Sequence, residues 1–399
     1  MKTNLTILFI VLFSNVNIQL KAQNKMTENQ AAQLAQKFII IDTHIDLPLQ
    51  LKEKYEDVTQ RLSSGEFDYP RAIKGDLNAA FMSIYISPKL QGTPEAKKTA
   101  DELIAIVERI VKEHPDKFNF AFTSDDITKN FAEGKISLPM GMENGAPIES
   151  VELLKEYFER GIRYVTLAHG KWNHICDSSY DPERKWHGLS PFGKTLIEEM
   201  NKIGMLIDIS HVSDETFYQV LELTKTPVIA SHSSCRKFTP GFERNMSDEM
   251  IKALAKNSGV IQITFGSDFV SQNYRQMSDD FQKHVREYIE HNHLKRDDAE
   301  VKKYIADYKK IHPIKFASVK DVADHIDHVV NLVGIDFVGL GSDFDGVGDS
   351  LPDGLKDVSM YPNLIAELLK RGYSENDIEK ICSGNFLRVW KQVENYSKN

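Results

Sequence analysis

The residues best suited to chemistry in this chain stand where apolar runs stop. Phe38-Ile39-Ile40-Ile41-Asp42-Thr43-His44-Ile45-Asp46 sends β-branched residues toward a core and then offers an imidazole and a carboxylate two positions apart. In extended chain such positions point to the same side, so His44 and Asp46 could grip one cation. The arrangement recurs: Glu143 follows Gly141-Met142, His169 follows Leu167-Ala168, His211 follows Ile207-Asp208-Ile209-Ser210, His232 follows Val228-Ile229-Ala230-Ser231, and Asp343 follows Gly341-Ser342. Imidazole nitrogen and carboxylate oxygen without thiolate suit zinc, with manganese, cobalt or iron as alternatives. A carboxylate such as Glu143 could bridge two ions, and two ions roughly 3.5–4 Å apart can hold a hydroxide that attacks a carbonyl. Such a site hydrolyses without a serine or cysteine nucleophile.

A buried histidine taken singly more commonly satisfies a backbone carbonyl than holds a metal. Repetition at the same end of successive apolar runs is what favours the metal. His291, His293, His325 and His328 have ligand-like spacing too, but they sit among Lys, Arg, Asp and Glu at helical periodicity and are expected on solvated helix faces. Cys235 lies near His232 and invites a thiol nucleophile, yet the metal accounts for more of the surroundings of His232.

The elements that must position these side chains follow from periodicity. Strand-like runs fall at 38–43, 79–86, 136–142, 163–168, 204–210, 227–231, 259–265 and 336–342, with a short ninth at 118–123 that could lie outside the main set. Between them, segments such as 96–113 and 151–159 carry apolar residues at helical spacing. Alternating units of this kind imply a parallel sheet, and eight principal strands imply a closed (β/α)₈ barrel of the TIM type. Chemistry in that architecture occurs at the C-terminal mouth, where residues distant in sequence converge. The charged stretch at about 271–330 is expected to form a helical insertion before the last strand.

Composition sets the class. With 399 residues and 41% hydrophobic content the chain can bury a large core, and its formal charge of -9 without a basic patch argues against nucleic-acid binding. Residues 1–22 read as a secretory signal: Lys2, the apolar run from Leu5 to Phe13, then polar residues up to Ala22. Cleavage there would remove Lys2 and Lys21 and no acid, taking -9 to -11 and leaving 23–399 as one barrel domain. An exported enzyme, periplasmic or extracellular and without a transmembrane anchor in its mature form, is the expectation. Only Cys176, Cys235 and Cys382 occur, so the fold rests on its core and not on a disulfide framework.

The segments Ile41-Asp42-Thr43-His44-Ile45-Asp46, Gly141-Met142-Glu143-Asn144-Gly145, Ile209-Ser210-His211-Val212-Ser213, Ser231-His232-Ser233-Ser234 and Gly341-Ser342-Asp343-Phe344-Asp345-Gly346 resemble those of the membrane (renal) dipeptidases. Arg163-Tyr164-Val165-Thr166-Leu167-Ala168-His169 and Tyr361-Pro362-Asn363-Leu364 add to the likeness, which spans nearly all the mature chain. The resemblance implies a (β/α)₈ metallohydrolase that cleaves dipeptides, commonly accepts a D-residue at the C-terminal position, and often forms homodimers. It implies two zinc ions per subunit, one held by His44, Asp46 and Glu143, the other by Glu143, His211 and His232. His169 would face the scissile carbonyl oxygen, Arg244 would receive the substrate carboxylate, with Arg236 as the alternative in the same loop, and Asp343 would be the acid/base. Asp345 is expected to stabilise its glycine-rich turn. The competing readings are an amidohydrolase acting on a cyclic amide, lactone or β-lactam, and an exported metal-dependent binding protein.

Overall fold

The computed structural model describes residues 25–398, so the segment 1–22 lies outside the described residues. Ten strands occur among them: β1 (Ile40–Ile45), β2 (Leu77–Tyr85), β3 (Phe118–Asn119), β4 (Ile136–Ser137), β5 (Met140–Glu143), β6 (Ile162–Thr166), β7 (Leu206–Asp208), β8 (Ile229–Ser233), β9 (Val260–Ile263) and β10 (Val338–Leu340). Every pairing is parallel, running in order from β10 to β5, then to β2 and β1. The ring closes just beyond β10: Ile45 bridges Phe344, and the Asp46 N–H donates to the Phe344 carbonyl at 2.9 Å. Eight strands therefore form the expected (β/α)₈ barrel.

The run expected as one strand at 136–142 is two. Pro139 has no N–H to give a ladder, and the chain breaks there: Ile136–Ser137 pairs with β3 and the edge of β2, while Met140–Glu143 enters the ring. The short run at 118–123 accordingly lies outside the barrel.

Serine punctuates the βα turns. Ser150, Ser190, Ser213 and Ser247 each accept a hydrogen bond from a backbone N–H of the helix they precede, at Val151–Glu159, Pro191–Ile203, Asp214–Leu223 and Asp248–Lys256. Such caps satisfy donors that would otherwise be orphaned, each worth about 1 kcal/mol. The barrel interior below the mouth is a separate apolar cluster in which Ile41, Phe81, Tyr164, Leu206, Ile229 and Val260 each come from a different ring strand. The helix Asn385–Tyr396 completes it with Phe386, Val389, Trp390 and Val393.

Within 271–330 the structure distinguishes two parts. Helices Gln272–Asn292 and Ala299–Ile311 make a hairpin with its own small core of Phe281, Val285 and Val301. Val319–Val333 instead buries Val322, Ala323, Ile326 and Val329 in the main core, beside the last barrel strand.

Candidate metal centre

The mouth is built where strands end. His44 and His232 sit within β1 and β8, Glu143 is the last residue of β5, and Asp46 immediately follows β1. His169, His211 and Asp343 each stand three residues beyond β6, β7 and β10. His211 and Asp343 have φ of 67° and 64°, a left-handed conformation that costs a non-glycine residue about 1–3 kcal/mol and clusters at functional sites. The fold brings all seven together.

Glu143 lies at the centre. Its Oε2 is 3.4 Å from His44 Nε2, which is itself 3.5 Å from Asp46 Oδ2. Its Oε1 is 3.1 Å from His211 Nε2, 3.3 Å from His232 Nε2 and 3.6 Å from His169 Nε2. Three overlapping triads have ligand atoms within 4.8 Å of one another: His44, Glu143 and His232; Glu143, His169 and His211; His44, Asp46 and Asp343. Buried polar atoms are ordinarily hydrogen-bonded, yet His44 Nε2 and Asp46 Oδ1 have no such partner. A buried set of converging nitrogen and carboxylate acceptors is the donor set that a divalent cation satisfies, so these residues fit the expected metal.

Burial pushes the Asp343 carboxyl well above the usual carboxylate range; Asp46 and Glu143 reinforce the rise while His44 and Arg244 oppose it. Burial also pulls His169 down, and His211 and His232 well down, with the Arg244 charge adding to the effect at all three. His44 behaves oppositely: burial disfavours its charge, but Tyr164, Glu143 and Asp46 outweigh it and raise the imidazole. At Glu143 burial resists ionisation and is overcome by His44, His169 and the His211 and His232 imidazoles beside it.

Two arginines in one loop have different fates. Arg236 is committed, with Nη1 and Nη2 donating to the two Asp214 carboxylate oxygens at 2.7 and 2.6 Å and Nε to the Asn245 carbonyl. Arg244 is buried against the site: Nη2 donates to the His232 carbonyl at 2.6 Å and lies 3.1 Å from His211 Nε2, whereas Nε and Nη1 have no acceptor. Only Arg244 retains donors for another group. Asp345 exchanges hydrogen bonds with Glu66, accepting from its N–H at 2.6 Å and donating its own at 2.7 Å, which ties down the turn after the last strand.

A cavity of about 730 Å³ opens onto Asp46, Glu143, His169, His211 and Asp343. Its remaining wall includes Tyr85, Tyr180, Phe242, Asp268 and Arg275. None of these five was singled out by sequence. Tyr85 ends β2 and the strand-end rule that found Glu143 would have reached it; Asp268 and Arg275 arrive with the segment after β9, which carries no such signal.

His325 corrects the expectation of a solvated face. It is fully buried, with Nδ1 accepting from the Cys235 N–H at 2.9 Å and Nε2 3.2 Å from the Val270 carbonyl, while His328 meets Asp248 at 2.7 Å. His291 and His293 are exposed as expected. The three cysteines are free and buried, and burial pushes the Cys235 thiol far up, which disfavours the thiolate that a nucleophile needs.

A family model described as membrane dipeptidase, peptidase family M19, matches residues 28–399. Dipeptidase aclJ of Aspergillus oryzae is 34% identical over 375 residues, covering 90% of this chain and 79% of that protein. Dipeptidase tcpJ of Claviceps purpurea is 33% identical, covering 83% and 70%. The crystal structure of the probable dipeptidase PvdM from Pseudomonas aeruginosa superposes with a TM-score of 0.81 at 28% identity, covering 93% of this chain and 99% of that one.

Proposed function

This chain belongs to the membrane dipeptidase family, peptidase family M19, and from that premise we propose that it is a dipeptidase that works with two zinc ions on free dipeptides, including those with a C-terminal D-residue. The observation that carries the two-ion reading is the division of labour at Glu143: Oε2 faces His44, beside Asp46, and Oε1 faces His211 and His232. One ion would be held by His44, Asp46 and Glu143, the other by Glu143, His211 and His232. When bound, such ions make a nucleophile of water at neutral pH and polarise the carbonyl under attack.

The chain's own groups do the rest. Asp343, on the cavity wall beside His44 and Asp46, takes a proton on its carboxylate from the attacking water and returns it to the departing amine. His169, on the cavity wall, opposes charge gathering on the carbonyl oxygen. Arg244, whose Nε and Nη1 have no acceptor, would receive the terminal carboxylate of the substrate. Longer peptides are disfavoured because they lack a carboxylate at that distance from the scissile bond.

The reading extends to the whole chain: residues 1–22 act as an export signal, and 23–399 fold as one barrel domain outside the cytoplasm. Among the described residues no helix is long and apolar enough to cross a membrane. The test is to incubate the zinc-loaded protein with L,L and L,D dipeptides, a β-lactam, a lactone and a cyclic imide. Turnover of both dipeptide series above the others is expected; turnover confined to the cyclic substrates, or none at all, overturns the assignment.

A further inference from the structure

Two of the imidazoles facing Glu143 are gripped from behind by residues that never reach the cavity. Behind His232 stands Asp208, a fully buried carboxylate on β7. It accepts from the backbone N–H groups of Ser210 at 3.0 Å and Ser231 at 2.8 Å, from the Ser231 hydroxyl at 2.6 Å, and from the Thr166 hydroxyl. Ser231 has a single hydroxyl proton. Given to Asp208, it leaves the serine oxygen only able to accept, and that oxygen is 2.8 Å from His232 Nδ1. His232 must therefore carry its proton on Nδ1 and keep a bare lone pair on Nε2.

The same logic applies on the other side of the site. The Tyr164 hydroxyl donates to the Thr43 carbonyl at 3.0 Å and lies 2.7 Å from His44 Nδ1, so Nδ1 is again the donor and Nε2 is the nitrogen left facing Asp46 and Glu143. Tyr164 can stand there because position 141 is glycine: a Cβ at Gly141 would fall inside its ring. One consequence is visible between the histidines. His211 Nε2 faces an Arg244 N–H and so presents its lone pair, yet it lies 2.9 Å from the bare Nε2 of His232. Two lone pairs at that separation repel unless a cation shares them.

We propose that Asp208, acting through the Ser231 hydroxyl, and Tyr164 are positioning residues that lock His232 and His44 in the Nδ1–H tautomer, with Nε2 lone pairs turned to the cations. The inference rests on the two-ion reading above. It makes the strand cores, and not only the mouth, part of the metal site, because partners behind a ligating imidazole typically govern metal affinity by 10–100-fold.

The experiment measures zinc affinity by chelator competition, and the thermal midpoint of the metal-free chain, for the parent, Ser231→Ala, Ser231→Thr and Tyr164→Phe. Ser231→Ala and Tyr164→Phe should each weaken one of the two ions about 10–100-fold while the metal-free midpoint moves little. Ser231→Thr, which keeps the hydroxyl, should restore parent affinity. In ¹⁵N-histidine spectra of the metal-free chain, His232 should lose its Nδ1–H signature in Ser231→Ala alone. Variants that bind both ions as tightly as the parent, or whose loss of affinity follows loss of metal-free stability without rescue by threonine, overturn the inference and leave the two-ion reading standing. A parent that binds no zinc overturns that reading itself.

Discussion

The backbone N–H of Asp343 donates to the carbonyl of His44 at 3.1 Å, joining the residue proposed to move protons to one proposed to hold metal. This bond belongs to the closure of the ring, so the Asp343 carboxyl is set by the barrel itself and a change of side chain need not disturb it. Asp343→Asn preserves size and removes the capacity to take and return a proton. Turnover of a dipeptide should fall by roughly 10²–10⁴-fold with zinc content near the parent value. Activity and metal measured on one sample decide the matter: full occupancy with retained turnover would end the acid/base role.

Arg244 and Arg236 make opposite predictions. Arg244→Met should raise KM for free dipeptides by the loss of a charge-assisted pair, about 1.5–3 kcal/mol or roughly 10–150-fold, and should do little to a substrate already amidated at its C-terminus. Arg236→Met breaks the paired bonds to Asp214 and should appear instead as lowered thermal stability. If amidation penalises the Arg244 variant as heavily as the parent, the carboxylate is read elsewhere.

Because both carboxylate oxygens of Glu143 face imidazoles, Glu143→Gln should cost both ions where the exposed Glu159→Gln costs neither. Chelation of the parent should abolish dipeptide hydrolysis and added zinc should restore it. Fully active protein that contains no metal by elemental analysis would contradict this.

The buried His325 carries a pH signature of its own. Burial lowers its pKa from 6.5 to about 4, so between those values the unfolded chain binds a proton that the folded chain refuses. Its contribution is complete above about pH 6.5 and is lost as pH falls toward about 4, a span worth about 3 kcal/mol. Denaturant titrations of the metal-free chain should give a flatter acid limb for His325→Leu than for the parent. Near neutral pH the same variant should be less stable by about 1–3 kcal/mol, since the Cys235 N–H loses its acceptor. Identical acid limbs would assign the proton to another group.

What was legible in the sequence was whatever periodicity encodes. Ring strands alternate with capped helices, and a polar side chain at the end of an apolar run marks a strand's C-terminus, so the placing of His44, Glu143, His211, His232 and Asp343 at the mouth was readable and their convergence follows from barrel closure. The family expected from the motifs holds over the matched residues 28–399. The split at Pro139 was hidden because both halves are apolar. His325 was misjudged because its neighbours Asp324 and Asp327 are polar while the helix turns His325 itself inward beside Ala323 and Ile326. Asp208 and Ser231 looked like ordinary strand residues, since a hydrogen bond between adjacent strands leaves no period in the chain.

The helix carrying Phe386 and Trp390 closes the floor of the barrel, while its wall is stitched by β1 against the segment just past β10. The floor is thus covered by one stretch and the ring is closed laterally by another, while the mouth stays open to the cavity. In chain order all eight ring strands precede that helix, which brings Phe386 and Trp390 against Phe81. Without that helix the apolar side chains of the barrel interior would lose their cover, so it is as much a part of the core as the ring strands themselves.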